Sequence, residues 1–105
     1  MIKHECGRFE TPHGSKYLQQ LCKHFGHKVE VTYDSLSGTV ALPIGPLHLT
    51  ATEDALLVTI QAEEGEDLDR AHHIVDDHLK RFAFREEFDG FDWQPVKDTT
   101  VANQV

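Results

Sequence analysis

Four side chains in the segment 11–28 have the chemistry of a metal site or a nucleophilic site: His13, Cys22, His24 and His27. Imidazole nitrogen and thiolate sulfur are ligands that zinc, copper and iron prefer in proteins. A cysteine beside a histidine is also the pairing of a thiol nucleophile with its general base. The spacing Cys-x-His-x-x-His therefore suggests either a transition-metal site or a small thiol-dependent enzyme.

Helical geometry separates these side chains. Successive residues of an α-helix are rotated by about 100°, so Cys22 and His24 point roughly 160° apart. Cys22 falls in the apolar stripe and is predicted to be an inert buried thiol. His24 lies on the flank with His13, beside Tyr17, whereas His27 lies beyond the helix end. A metal site would thus use His13 or His24 with His27 and further ligands; the alternative is capping and flanking histidines packed beside the core.

A second histidine cluster lies in the predicted second helix, in the string His-His-Ile-Val-Asp-Asp-His at 72–78. His72 and Asp76, and likewise His73 and Asp77, are four residues apart and so meet on one helix face. His73 and Asp77 lie opposite the apolar stripe and are predicted to be solvated. His78 lies near the stripe, so we expect it to be half-buried with a hydrogen-bond partner, and we rank it the better site candidate.

Arg81 and Arg85 follow on the same helix, again four residues apart. A planar guanidinium suits a carboxylate or phosphate, so this pair suggests an anion clamp. The alternative is ion pairing with neighbouring acids. The candidate ligand-binding residues are therefore His13, Tyr17, His24, His27, His78, Arg81 and Arg85. The four histidines of this set, His13, His24, His27 and His78, are the candidate ligands of a transition-metal ion.

Two amphipathic helices would position these residues. The first is predicted to begin at Thr11 and Pro12, which suit a helix cap and a first turn, and to end at Gly26 in the left-handed conformation. Its apolar stripe contains Tyr17, Leu18, Leu21, Cys22 and Phe25. The second opens at residues 65–67, and its stripe contains Leu68, Ala71, Val75, Leu79 and Phe82. Phe84 is predicted to carry the apolar signal to the end of this helix.

The other segments alternate like strands. Residues 2–9 place Ile2, His4 and Cys6 on one face, with a bulge or kink predicted at Gly7. Four short strands follow at 29–33, 40–42, 47–51 and 55–62, and their short connections indicate an antiparallel meander. A last strand is predicted at 91–93. The order β-α-β-β-β-β-α-β predicts an α+β fold, a two-layer sandwich with a mostly antiparallel sheet and two helices on one face.

Length and composition narrow the classes of function. The 105 residues indicate one domain, predicted over 1–95 with a disordered tail at 96–105. The net charge of −8 argues against nucleic-acid binding, since an acidic chain repels phosphate. No apolar run is long enough for a membrane span, so we expect a cytoplasmic protein without membrane association. The two cysteines, Cys6 and Cys22, suggest two reduced, partly buried thiols; the alternative is a redox pair, if the strand and the helix place them side by side.

Several motifs resemble the bacterial family called Domain of Unknown Function 2218. They are Thr-Pro-His at 11–13, Tyr-Leu-Gln-Gln-Leu-Cys-Lys-His at 17–24, His-Lys at 27–28, the segment 78–87, and Trp-Gln at 93–94. The resemblance covers roughly residues 2–94 and implies a small bacterial cytoplasmic domain. It also implies a link to iron handling, because such domains occur beside siderophore-interacting flavin reductases, which makes such a reductase a candidate partner.

The leading hypothesis from these observations is a non-catalytic ligand-binding or accessory domain associated with iron or siderophore metabolism. Its ligand would be a small molecule or a metal ion, held where the histidine-rich edge of the first helix meets the sheet or the second helix. The alternatives are a small metal- or thiol-dependent enzyme and an interaction module that dimerises. Monomer and homodimer both remain open.

Overall fold

A computed structural model describes residues 2–96 of the chain. Its elements are β1 (Ile2–Glu10), α1 (Gly14–Phe25), β2 (Val31–Tyr33), β3 (Ser37–Leu42), β4 (Gly45–Ala51), β5 (Ala55–Glu63), α2 (Glu66–Phe82), a 3₁₀ turn (Phe84–Glu86) and β6 (Gln94–Pro95). The predicted α+β class and the order β-α-β-β-β-β-α-β are confirmed. The predicted tail, apart from Val96, lies outside the described residues.

One antiparallel sheet of six strands, in the order β2-β3-β4-β5-β1-β6, forms one layer. The longest strand pairing, between β1 and β5, is in register over nine residues of each strand. Both helices cover one face, because every second residue of the strands is apolar and buried there. The fully buried side chains of this core include Leu18, Leu21, Val40, Leu47, Leu49, Leu56, Val58, Ile60, Val75 and Leu79. No helix among the described residues is long and apolar enough to cross a membrane.

The predicted bulge at Gly7 is wrong. β1 keeps a continuous register against β5, and Gly7 pairs directly with Val58. The glycine is explained by space, because a Cβ atom at this position would lie 2.6 Å from the ring of Phe91. Phe9 shares the helix-covered face with Gly7, whereas Cys6 and its alternate neighbours along β1 point to the uncovered face.

The predicted ends of α1 also need correction. The helix begins at Gly14, and no side chain caps it. Thr11 instead accepts a hydrogen bond from the backbone N–H of His13 at 3.0 Å, which forms a short turn before the helix. Gly26 has right-handed dihedral angles, φ −62° and ψ −12°. A left-handed residue is unnecessary because the turn continues, and Lys28 donates its N–H to the carbonyl of Phe25 at 3.0 Å.

The chain after α2 differs from its prediction as well. The helix ends at Phe82, and Phe84 is 65% exposed rather than part of the apolar stripe. The predicted strand at 91–93 is absent from the described structure, and β6 comprises only Gln94–Pro95. Asp76 holds this segment against α2, since its carboxylate accepts hydrogen bonds from the backbone N–H of Phe91 and the indole N–H of Trp93. These side-chain contacts replace the strand pairing that the alternation suggested.

Candidate functional site

A groove of about 470 Å³ opens between the end of α1, the turn between β3 and β4, and the middle of α2. Its walls are apolar and comprise Phe25, Val29, Leu42, Pro43 and Ile74. Phe25 is buried beneath it, and Ile74 is half-buried because it stands at the edge of the α2 stripe. This volume lies within the range of roughly 300–1,000 Å³ that is typical of small-molecule sites.

Two histidines from different helices meet at the mouth of this groove. The ring centroids of His24, on α1, and His78, on α2, are 4.6 Å apart. His78 is half-buried, and its Nδ1 lies 2.6 Å from the carbonyl oxygen of Ile74, so Nδ1 carries the proton and donates it. The predicted half-burial and hydrogen-bond partner of His78 are confirmed. This tautomer leaves Nε2 as the nitrogen that a ligand can reach.

The mouth of the groove is positively charged. Desolvation of the ring lowers the pKa of His24 although the residue is exposed overall, and the charges of His78, His27, Arg81 and Lys28 lower it further. All four of these neighbours are cationic or can become cationic, and His27 and Lys28 also line the groove. A cationic mouth is therefore present in a chain whose net charge is −8.

The remaining candidates from the sequence lie elsewhere. His13 precedes α1, about 16 Å along the helix axis from His24 at 1.5 Å per residue, and its ring centroid is 6.4 Å from that of Tyr17. Tyr17 is buried, and its hydroxyl donates to Glu86. The Arg85 guanidinium lies 5.6 Å from the centre of the Phe84 ring. Of the seven candidates, His24, His27 and His78 line the groove, and Arg81 is close enough for its charge to lower the pKa of His24. The other three lie at the opposite end of α1 and in the 3₁₀ turn.

The histidines do not converge as a set of metal ligands. Across residues 2–96, no group of three or more His, Cys, Asp or Glu side chains is arranged to hold a metal ion. His73 and Asp77 are exposed, as predicted. His72 stacks on Trp93, with ring centroids 4.8 Å apart, and its Nε2 lies 2.7 Å from a carboxylate oxygen of Glu5 without the alignment of a hydrogen bond.

Cys22 is fully buried, as predicted from the helical wheel. Burial raises the pKa of its thiol to about 11, so almost none of it is thiolate at neutral pH. A thiol nucleophile must be both ionised and accessible, and Cys22 is neither. The enzyme alternative that relied on this cysteine therefore has no accessible nucleophile at this position.

The two thiols should react at very different rates. Both cysteines are free, but Cys6 is half-exposed on the uncovered face of the sheet, whereas Cys22 lies in the core. In a native-state assay with 5,5′-dithiobis(2-nitrobenzoate) at pH 8, we expect one fast thiol per chain. The variant Cys6→Ser should lose the fast phase, and full reaction should require denaturant. Fast labelling of Cys6→Ser would contradict the assigned burial.

Sequence reasoning missed the walls of the groove. The alternation predicts only that Val29 and Leu42 lie at strand ends and that Pro43 lies in a connection between strands. Their one signal in the sequence is that they are apolar residues at the ends of predicted strands or directly after one. Glu86 is one of the acids next to Arg85 that the sequence offers as ion-pair partners, yet its carboxylate accepts hydrogen bonds from Thr11 and Tyr17. Nothing in the local pattern marks that contact, because the partners are about seventy residues apart in the chain.

Comparison with known proteins agrees with this architecture. The NMR structure of PA4090 from Pseudomonas aeruginosa is similar to the chain, with a TM-score of 0.74 and 28% sequence identity over 90% of this chain and 98% of that one. No curated protein matches. The family model described as "Uncharacterized protein conserved in bacteria (DUF2218)" matches residues 6–94. Because that match spans most of the sequence, the chain belongs to this bacterial family.

Proposed function

We propose that the chain is a non-catalytic binding domain for a small amphipathic molecule. The observation that carries this proposal is the apolar-walled groove of about 470 Å³ with two histidine rings at its mouth. Small-molecule sites typically combine apolar walls with a few polar groups that orient the ligand. Exposed apolar surface that is gathered into one concave patch commonly marks a ligand-binding groove.

The apolar body of the ligand would rest on Phe25, Leu42 and Ile74, and its polar group would face His24 and His78. A ligand of about twelve non-hydrogen atoms, at about −0.5 kcal/mol per atom, would bind with about −6 kcal/mol. That corresponds to a dissociation constant of about 40 µM. We therefore expect binding that is readily measured at millimolar ligand and micromolar protein concentrations.

A role in iron or siderophore metabolism stays a prediction that the same site can test. Hydroxybenzoates combine an aromatic ring with adjacent oxygen atoms and are of a size that suits the groove. Comparing their affinities with that of a straight-chain acid shows whether the groove prefers an aromatic ligand. The buried thiol of Cys22 supports the non-catalytic reading of the site, because the cysteine nearest to the cluster in sequence cannot attack a bound molecule.

The test is a titration followed by backbone amide NMR, with 2-hydroxybenzoate, 2,3-dihydroxybenzoate and octanoate as probes. At least one probe should shift resonances around Phe25, Leu42 and Ile74. The variant Ile74→Trp fills the groove and should weaken binding by about tenfold or more. Its matched control is His73→Trp, which places the same side chain at an exposed position of α2 and should bind normally. Shifts absent from the groove for every probe at 5 mM would overturn the proposal.

A further inference from the structure

The charge distribution around the groove points to the chemical class of its ligand. We infer that the polar group is a carboxylate, held by His24 and His78 within the cationic mouth formed with Lys28 and Arg81. This inference rests on the proposed function and adds to it the ligand's charge and a dependence of affinity on pH.

The first argument is that the charges are segregated against the composition of the chain. Acidic residues outnumber basic ones by 18 to 10, so a random surface patch would be acidic. Yet the groups whose charge acts on His24 are His78, His27, Arg81 and Lys28, and none of them is a carboxylate. None of the residues that line the groove is acidic either. A concave apolar surface with charges of one sign favours ligands of the opposite sign.

The second argument is the geometry of the two rings. His78 is oriented by its bond to the carbonyl of Ile74, so its Nε2 is the nitrogen at the site. The ring of His24 lies 4.6 Å away, centroid to centroid, on the facing helix. A carboxylate has two oxygen atoms, and each can accept one charge-assisted hydrogen bond from one ring. Two separate donors from two helices therefore match one carboxylate.

A dependence on pH follows from the charges at the mouth. Without a ligand, desolvation lowers the pKa of His24, and the charges of the neighbouring basic side chains lower it further. The basic side chains around His24 come from the turn after α1 and from α2. The β3–β4 turn contributes only the uncharged Leu42 and Pro43. A bound carboxylate offsets the positive charges that lower the pKa of His24, so the imidazole of His24 can take up a proton as the anion binds. Affinity should then fall as pH rises from 6 to 8.

The experiment compares each acid with its neutral amide: octanoate with octanamide, and 2-hydroxybenzoate with 2-hydroxybenzamide. Isothermal titration calorimetry at pH 6 should show the acid binding about tenfold more tightly than the amide, with a smaller preference at pH 8. The titration should then be repeated in buffers of different ionisation enthalpy. We expect the protein to take up protons when the acid binds and to take up none when the amide binds.

Charge variants complete the test. The double variant Lys28→Gln/Arg81→Gln should weaken binding of the acid about fivefold to tenfold and leave the amide unchanged. The control Lys23→Gln/Lys80→Gln removes the same charge from other exposed positions of the two helices and should have little effect. Equal affinities for acid and amide, or equal effects of the two double variants, would overturn the inference while the groove remains a binding site. Absence of binding by all four probes would instead overturn the proposed function.

Discussion

Replacing Gly45 with alanine is expected to destabilise the folded domain by about 4 kcal/mol, the sum of backbone strain and steric overlap. Gly45 begins β4 with a φ of +148°, a conformation that side-chain-bearing residues rarely adopt. A Cβ atom at this position would overlap the backbone carbonyl oxygen of Gln61 on β5. Because the obstacle is backbone at a position of β5 that pairs with β1, it cannot rotate away as a side chain would.

Urea denaturation followed by circular dichroism measures this loss. The matched control is Gly65→Ala, which shares a positive φ of +103° but meets no atom within 4 Å. The control should lose only the strain energy, about 1–3 kcal/mol. The larger loss in Gly45→Ala is the part due to the Gln61 carbonyl. Equal losses of stability in the two variants would contradict the close contact between Gly45 and the carbonyl of Gln61.

Replacing Tyr17 with phenylalanine is expected to lower the free energy of unfolding by about 2 kcal/mol at pH 7, typical for a lost hydrogen bond to a charged group. Tyr17 is 4% exposed, and its hydroxyl donates to one oxygen of Glu86 while Thr11 donates to the other at 2.7 Å. The contact ties α1 to the 3₁₀ turn after α2. Burial and the Glu86 carboxylate together raise the pKa of Tyr17 to about 12, so the phenol stays a donor at all ordinary pH values.

The effect of this substitution should depend on pH. Partial burial raises the pKa of Glu86, but hydrogen bonds from Tyr17 and Thr11, with the charges of His13 and Lys16, outweigh it and hold the pKa below its usual value. A carboxyl whose pKa is lower in the folded state stabilises the protein above its unfolded pKa, and that contribution is lost as pH falls through the folded pKa. The difference in unfolding free energy between wild type and Tyr17→Phe should therefore shrink below about pH 4.5.

Urea denaturation at pH 7 and at pH 3.5 tests both parts of this prediction. The control is Tyr33→Phe, since Tyr33 is 42% exposed and the substitution should change stability by less than about 0.5 kcal/mol. A loss in Tyr17→Phe that stayed the same at both pH values would mean that the hydroxyl does not depend on the charge of Glu86.

The pattern of apolar residues within each segment was sufficient to predict the helices and strands, because buried side chains recur with the period of each element. The predicted stripe of α2 identified its buried face: Leu68, Ala71, Val75 and Leu79 are buried, and Phe82, at the end of the helix, is half-buried. The same wheel placed Cys22 in the core and His78 at its margin. These predictions succeed because the buried side of a helix is decided by residues within the helix itself.

The features that pattern reasoning got wrong depend on neighbours far away in the chain. Gly7 suggested a bulge, but it accommodates the ring of Phe91, more than eighty residues later. The alternation at 91–93 suggested a strand, but Asp76 binds that segment through its side chain. A short segment of sequence contains the glycine or the alternating residues. It does not contain the distant residue that contacts them and explains their role.

The candidate site shows the same division. The sequence alone determined the two helices, the antiparallel sheet, the buried thiol of Cys22 and the choice of His24 and His78 as site candidates, because each follows from periodicity along one element. Only the tertiary structure decided that these two rings meet, that His13 and Tyr17 belong to a different cluster, and that Leu42 and Pro43 wall a groove. Those facts depend on how α1, α2 and the β3–β4 turn pack together, and packing joins residues that no local spacing connects.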